Sequence, residues 1–186
     1  MQELAMHVMD IIQNSVVAGA KLIMVTLVAE NDLLTLKVED DGCGMDTKHL
    51  AQVENPFTTS RQTRKVGLGI PLLAEAARAS GGSFTLLSER GKGTTLCASF
   101  GIEHLDRAPL GELAETIKQN VHCNPQIDFE LQLTSIAGNY IFGTKALKES
   151  LGTMDLSEFL IIAWISENIE EAVKNIYGGI LHEINS

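Results

Sequence analysis

The stretch NDLLTLKVEDDGCGMD, Asn31 to Asp46, constrains this chain more than any other. Leu34, Leu36 and Val38 alternate with polar residues, the period of a strand with one face against a core. Asp40 keeps the same parity, so it points to the covered side at the strand's end. A carboxylate aimed inward is costly to desolvate and requires a hydrogen-bonding partner. Gly42 and Gly44 follow at once and let the backbone turn tightly and pass close beneath another group.

The surrounding sequence supplies the elements that such a turn would join. QELAMHVMDIIQNSVVAGA reads as a helix ending near Gly19, with Leu4, Val8, Ile11, Ile12 and Ser15 on one side. His7, Asp10 and Asn14 recur on another side. KLIMVTLV is apolar at both parities, which predicts a strand in a sheet covered on both faces. DTKHLAQV reads as a short helix and ENPFTTSRQTRKV as a polar, basic loop. GLGIPLLAEAARASGG reads as a helix with Pro71 in its first turn and Gly81 and Gly82 at its stop. SFTLLSE and TTLCASF read as paired strands around RGKG. Beyond a soft boundary near residue 104, PLGELAETIKQNV predicts a helix with proline at its start. IDFELQL and GNYIF predict a hairpin. DLSEFLIIAWISENIEEAVKNIYGG predicts a helix with Asp155 and Glu158 as a capping box. Its Phe159, Ile162 and Ile165 form an apolar stripe that requires a surface to cover.

Bulk properties narrow the function classes. The formal charge of −10 repels nucleic acid and anionic membrane surfaces, so neither is expected as a partner. No apolar run reaches the roughly 18 residues of a membrane helix, and no signal peptide is visible. Cys43, Cys97 and Cys123 are widely spaced with no CxxC pair, which argues against a zinc or disulfide framework and for a cytoplasmic location. His122 and Cys123 have no further ligand types close by.

Four short patterns carry the chemistry, in order: Asp10 with Asn14, Asp40-x-Gly42-x-Gly44, Gly67-Leu68-Gly69, and Gly91-x-Gly93-Thr94. Each alone is an ordinary turn or a solvated helix face. In this order and on these elements they fit a nucleotide. Asp40 can accept from an adenine amino group. Gly67 and Gly69 open a helix whose free N–H groups attract phosphate. Asn14 offers an oxygen to magnesium, which takes few protein ligands beside phosphates and water. Asp10 can orient or deprotonate a water.

With these residues in view, the chain resembles the gyrase, Hsp90, histidine kinase and MutL (GHKL) ATPase superfamily. MDIIQNSVVAGA resembles its N box, DDGCGM its G1 box, NPFTTSRQTRKVGLGI its F and G2 boxes with the ATP lid between, and GKGTT its G3 box. The resemblance implies an α+β two-layer sandwich, the Bergerat or histidine-kinase-type ATPase fold, over residues 1–103. A C-terminal α/β extension, residues 104–186, is expected to pack on it. It implies ATP and Mg2+ as cofactors, with Asn14 as the metal ligand and Asp10 in the catalytic position. Expected ATP contacts are Asn14, Asp40, Gly42, Gly44, Met45, Phe57, Thr58, Thr59, Arg64, Lys65, Gly67, Leu68, Gly69, Gly93 and Thr94. Over its whole length the chain also resembles small stand-alone histidine-kinase-like ATP-binding proteins associated with iron hydrogenase systems in anaerobic bacteria.

Two departures from the family pattern bear on activity. The N-box acid, usually glutamate in hydrolysing members, is Asp10, whose side chain is one methylene shorter. Lys65 stands where the G2 box often begins with glycine. Three functions follow. The first is a Mg-dependent enzyme that hydrolyses ATP or passes its phosphoryl group to a partner protein. The second is a non-catalytic module that senses ATP or ADP through its lid, residues 55–66, with Arg61, Arg64 and Lys65 meeting the phosphates. The third, a mismatch-repair-like ATPase, is disfavoured by the acidic charge. No long helix bearing a phosphoacceptor histidine is expected ahead of the first motif, and His7 is not a convincing one. The partner is unidentified, and relatives' dimerisation makes a homodimer one available assembly.

Overall fold

A computed structural model describes residues 2–54, 68–152 and 155–181. Helix α1 (Leu4–Val17) leads into strands β1 (Leu22–Glu30) and β2 (Leu33–Asp40), joined by Asn31 and Asp32. Both joining residues have positive φ, at 51° and 61°. That is the backbone of a two-residue hairpin turn, whose twist matches the strands it connects. Helices α2 (Thr47–Glu54) and α3 (Gly69–Ala79) follow, then strands β3 (Phe84–Glu89) and β4 (Gly93–Gly101). The remainder is α4 (Leu113–Cys123), β5 (Asp128–Ser135), β6 (Gly138–Gly143), α5 (Thr144–Leu151) and α6 (Phe159–Tyr177).

The strands form one six-stranded sheet in the order β3-β4-β2-β1-β5-β6. Every pairing is antiparallel except β1 with β5. Register places Leu86, Leu96, Val38, Val25, Leu131 and Phe142 in a single row across the sheet, all buried. Helical residues Ile12, Leu73, Ile117 and Ile165 join them in one continuous core. This is the α+β two-layer arrangement expected of the sequence.

Burial along β1 corrects one expectation. Ile23, Val25, Leu27 and Ala29 are buried, but Met24, Thr26 and Val28 are only partly so. Among the described residues the sheet is covered on one face, and Met24 and Val28 are apolar residues on the other, which folded proteins tolerate.

The C-terminal half differs from expectation at three helices. Helix α4 starts at Leu113, not beside Pro109. Pro109 and Leu110 instead turn their carbonyls to the N–H groups of Leu4 and Ala5, at 2.9 Å each, and satisfy the open start of α1. Gly111, at φ +70°, then reverses the chain before α4. Asp155 and Glu158 do not form a capping box. The Asp155 carboxylate accepts from the Ser157 N–H at 2.9 Å in a local turn, and α6 begins after Glu158 with no side-chain cap. Ile162 and Ile165 are buried as expected, whereas Phe159 is exposed. Helix α5 was not expected; its Thr144 hydroxyl accepts from the Phe129 N–H at 2.8 Å, and Lys148 pairs with Asp128 at 2.7 Å.

Tyr177, at the end of α6, ties the two halves together. Its buried hydroxyl donates to the Leu27 carbonyl of β1 at 2.6 Å and accepts from the Thr134 N–H of β5 at 3.2 Å. Burial raises its pKa far above the ordinary value, which keeps the donor proton in place. Replacing Tyr177 with Phe leaves these buried backbone groups without that partner. Urea unfolding should show a loss of about 1–2 kcal/mol with an unchanged denaturant slope. Wild-type stability in Tyr177→Phe would mean that the hydroxyl holds nothing.

Candidate nucleotide site

The turn after β2 is built around its two acids, which do different work. Asp40 is half-buried. Its Oδ2 accepts from the Ser15 hydroxyl of α1 at 2.8 Å, and its Oδ1 accepts from the Gly42 N–H at 2.9 Å. A carboxylate has about four lone-pair positions, so two such bonds fix its orientation and leave acceptor capacity toward a ligand. Asp41 faces the other way. Its Oδ1 accepts from the Lys21 and Leu22 N–H groups at 2.7 and 2.9 Å and pins the start of β1. Burial alone would raise the Asp41 carboxyl. The backbone hydrogen bonds from Leu22, Lys21 and Asp41 itself, with the Lys21 charge, bring it below its ordinary value.

The glycines are fixed by close approach. A Cβ on Gly42 would lie 2.8 Å from the Ala18 Cβ and 2.9 Å from Asp40 Oδ1, so any side chain there displaces the acid. Gly44 and Gly93 both have positive φ. Added Cβ atoms would fall 2.0 Å from the Glu89 carbonyl oxygen and 1.9 Å from the Asp40 carbonyl oxygen respectively. The turn is therefore pressed between the end of α1 and the β3–β4 hairpin. Backbone bonds from Cys43 N to the Ala18 carbonyl and from Gly91 N to the Cys43 carbonyl hold it there.

Ser88 joins the remaining pieces. Its hydroxyl accepts from the Met45 N–H at 2.8 Å, donates to the Gly93 carbonyl at 3.0 Å and lies 3.0 Å from Thr94 Oγ1. On α1 itself, Asp10 and Asn14 are exposed one turn apart. Asp10 packs against the first residue of α3: a Cβ on Gly69 would lie 2.7 Å from the Asp10 Cβ. The N-terminus of α3, with Leu68 at its cap, carries no side-chain cap bond among the described residues. Asp10 thus sits beside backbone donors that helix geometry leaves open.

The structure accordingly brings Asp40, Gly42, Gly44, Met45, Gly93 and Thr94 into one framework, and Asp10 beside Leu68 and Gly69. Asn14 precedes Ser15 on α1. Phe57, Thr58, Thr59, Arg61, Arg64, Lys65 and Gly67 lie outside the described residues. Ser15 and Ser88 were given no role from sequence. Ser15 carried a usable signal, a hydroxyl on an otherwise apolar helix face beside Asn14. Ser88 carried none, because its importance depends on the register of β3 against β4.

His7 departs from the face assigned to it. It is 2% exposed, unlike Asp10 and Asn14, and its Nδ1 has no hydrogen-bond partner among the described residues. Burial lowers its pKa below the ordinary value of 6.5, opposed by the nearby Asp10 charge. Unfolded His7 takes a proton near pH 6.5, and folded His7 only at lower pH. Between those values the unfolded state binds more protons, so stability should fall as pH falls below 6.5. Relative to wild type, His7→Gln should lose that part of the acid dependence in denaturant titrations run across this range. Matching acid limbs would show that His7 does not titrate differently in the two states.

Comparison with known proteins decides the family. The sequence profile described as "Histidine kinase-, DNA gyrase B-, and HSP90-like ATPase" matches residues 2–104. The chain belongs to this ATPase family. Every described site residue falls inside the matched segment, and the chain carries a histidine-kinase-like ATP-binding module. Over 110 residues it is 37% identical to the sensor protein kinase FleS of Pseudomonas aeruginosa, covering 58% of this chain and 27% of that protein. Over 89 residues it is 28% identical to the autoinducer 2 sensor kinase/phosphatase LuxQ of Vibrio parahaemolyticus, covering 44% of this chain and 10% of LuxQ. The chain therefore spans about a quarter or less of the length of these relatives. It is also similar to the solved N-terminal domain of a DNA repair protein, with 18% identity and a TM-score of 0.47 over 76% of this chain and 52% of that one. No helix among the described residues is long and apolar enough to cross a membrane.

Proposed function

We propose that the protein binds Mg-ATP and either hydrolyses it or transfers its phosphoryl group to a partner protein. The observation that carries this reading is the Asp40 carboxylate, held by Ser15 and Gly42 with acceptor capacity to spare. Such a group selects a base that presents an amino donor, which adenine does. Gly42, Gly44 and Gly93 let backbone approach where side chains would collide. The start of α3, where Leu68 supplies no side-chain cap, offers N–H groups to phosphate oxygens.

The donor set also fits magnesium. Asn14 presents one hard oxygen from an exposed helix position. No three His, Cys, Asp or Glu side chains gather as a metal cage among the described residues. An ion held by Asn14 would thus take most of its ligands from phosphate and water. When bound, magnesium neutralises developing phosphate charge. Asp10, exposed beside Gly69 at the helix start, would accept a proton from an attacking water or hydroxyl, a reading its closeness to Gly69 supports. Its shortness is what leaves hydrolysis and sensing to be separated by experiment. We further propose that residues 1–103 form the nucleotide domain and 104–186 an extension packed on it, in a cytoplasmic protein.

Calorimetry on folded Asp40→Asn should show ATP affinity at least tenfold weaker, about 1.4 kcal/mol. Unchanged affinity would sink the adenine assignment. In the same buffers, Asn14→Ala should lose the magnesium dependence of binding. Asp10→Asn should bind ATP but lose turnover. Tight wild-type binding with no turnover, alone or with a partner, would favour a nucleotide sensor acting through the 55–66 lid.

A further inference from the structure

The first two turns of α6 expose a large apolar surface that the ATP-binding reading does not use. Phe159 and Leu160 are 80% and 79% exposed, and Trp164 is 49% exposed. The opposite side of the same helix, Ile161, Ile162, Ile165 and Ile169, is buried in the core. The exposed residues are therefore the outer face of a well-anchored helix. Beside them opens a cleft of about 220 Å³ between α4 and α6, lined by Lys118, Gln119, His122, Ser157, Phe159 and Ile162. Its surface is almost wholly apolar, large enough to admit one hydrophobic side chain.

The charge around this patch states what can cover it. Leu160, Trp164, Glu167 and Glu171 succeed one another along one helix stripe. Glu170 flanks it, Glu158 stands at the N-cap between the cleft residues Ser157 and Phe159, and all four acids are exposed. None of the four takes part in an ion pair among the described residues. Lys118 of the cleft wall is already paired with Glu115, and Lys174 is the sole cation on the exposed part of α6. We infer that this face docks a partner protein's amphipathic helix, with an apolar side chain seated in the cleft and Lys or Arg facing Glu158, Glu167 and Glu171. Charge separates this occupant from the alternatives. An anionic membrane would be repelled by the acidic rim. In a second copy packed antiparallel about Leu160 and Trp164, Glu158 would lie beside Glu167 and Glu170 of the other copy. A parallel pairing would set each acid against its own equivalent. Like charges in such a contact oppose it.

Trp164 is the only tryptophan in the chain, so its emission reports on this face alone. The probe is a synthetic helical leucine–lysine peptide titrated into the full chain. Saturable binding with a blue shift is expected, about tenfold weaker for the same peptide with Glu in place of Lys. Glu167→Lys/Glu171→Lys should weaken the lysine peptide to a similar degree. Phe159→Ser/Leu160→Ser should abolish the shift, and Glu30→Lys/Glu75→Lys, at the far end of β1 and on α3 toward the opposite edge of the sheet, should leave it intact. Circular dichroism of each variant excludes unfolding as the cause. Absence of any shift, equal binding of the two peptides, or equal weakening by the remote charge reversals would overturn the proposal. A blue shift produced by raising protein concentration alone would assign the face to a second copy instead.

Discussion

The clasp on Asp40 is the interaction on which the rest of the site depends. One carboxylate is held from two directions, by a hydroxyl on α1 and by the backbone of its own turn. The first bond requires α1 to lie across the end of β2. The second requires the turn to fold back, which Gly42 permits and any side chain would prevent. Buried polar groups of this kind are costly when half-satisfied and specific when complete. Position of helix, strand and turn is thereby coupled to the orientation of a single acceptor.

The same economy runs through the hairpin opposite. Ser88 connects the backbone at Met45 and Gly93 with the Thr94 hydroxyl, so the turn after β2 is bonded to the β3–β4 hairpin. Asp41, adjacent to Asp40, anchors the start of β1 and holds the turn against it. Farther away, Tyr177 ties the last helix to the backbone of β1, the strand that pairs with β2. The C-terminal residues thus extend the sheet that carries the site as well as its core.

Much of this was legible because periodicity and punctuation agreed. The inward parity of Asp40 followed from Leu34, Leu36 and Val38, and α3 followed from glycine and proline placed where helices begin and end. The nucleotide reading came from four motifs in fixed order, each weak alone. What was not legible depends on contacts between distant segments. Pro109 resembles a helix start, yet its carbonyl is committed to α1. KLIMVTLV is apolar at both parities although only one face is covered among the described residues. Asp155 and Glu158 have the spacing of a capping box, but Asp155 is satisfied by Ser157 first. Local competition for a donor and the number of helices over a sheet are not written in any short window.

The role given to Asp40 is most directly tested by removing its proposed partner from the ligand. Purine riboside triphosphate, which is ATP without the exocyclic amino group, can be compared with ATP by calorimetry on wild type and on Asp40→Asn. If Asp40 reads that amino group, its loss should weaken wild-type binding about tenfold and weaken Asp40→Asn binding little further, a strongly non-additive cycle. Equal losses in the two proteins would contradict this, and would make the clasped carboxylate a structural device that does not touch the base.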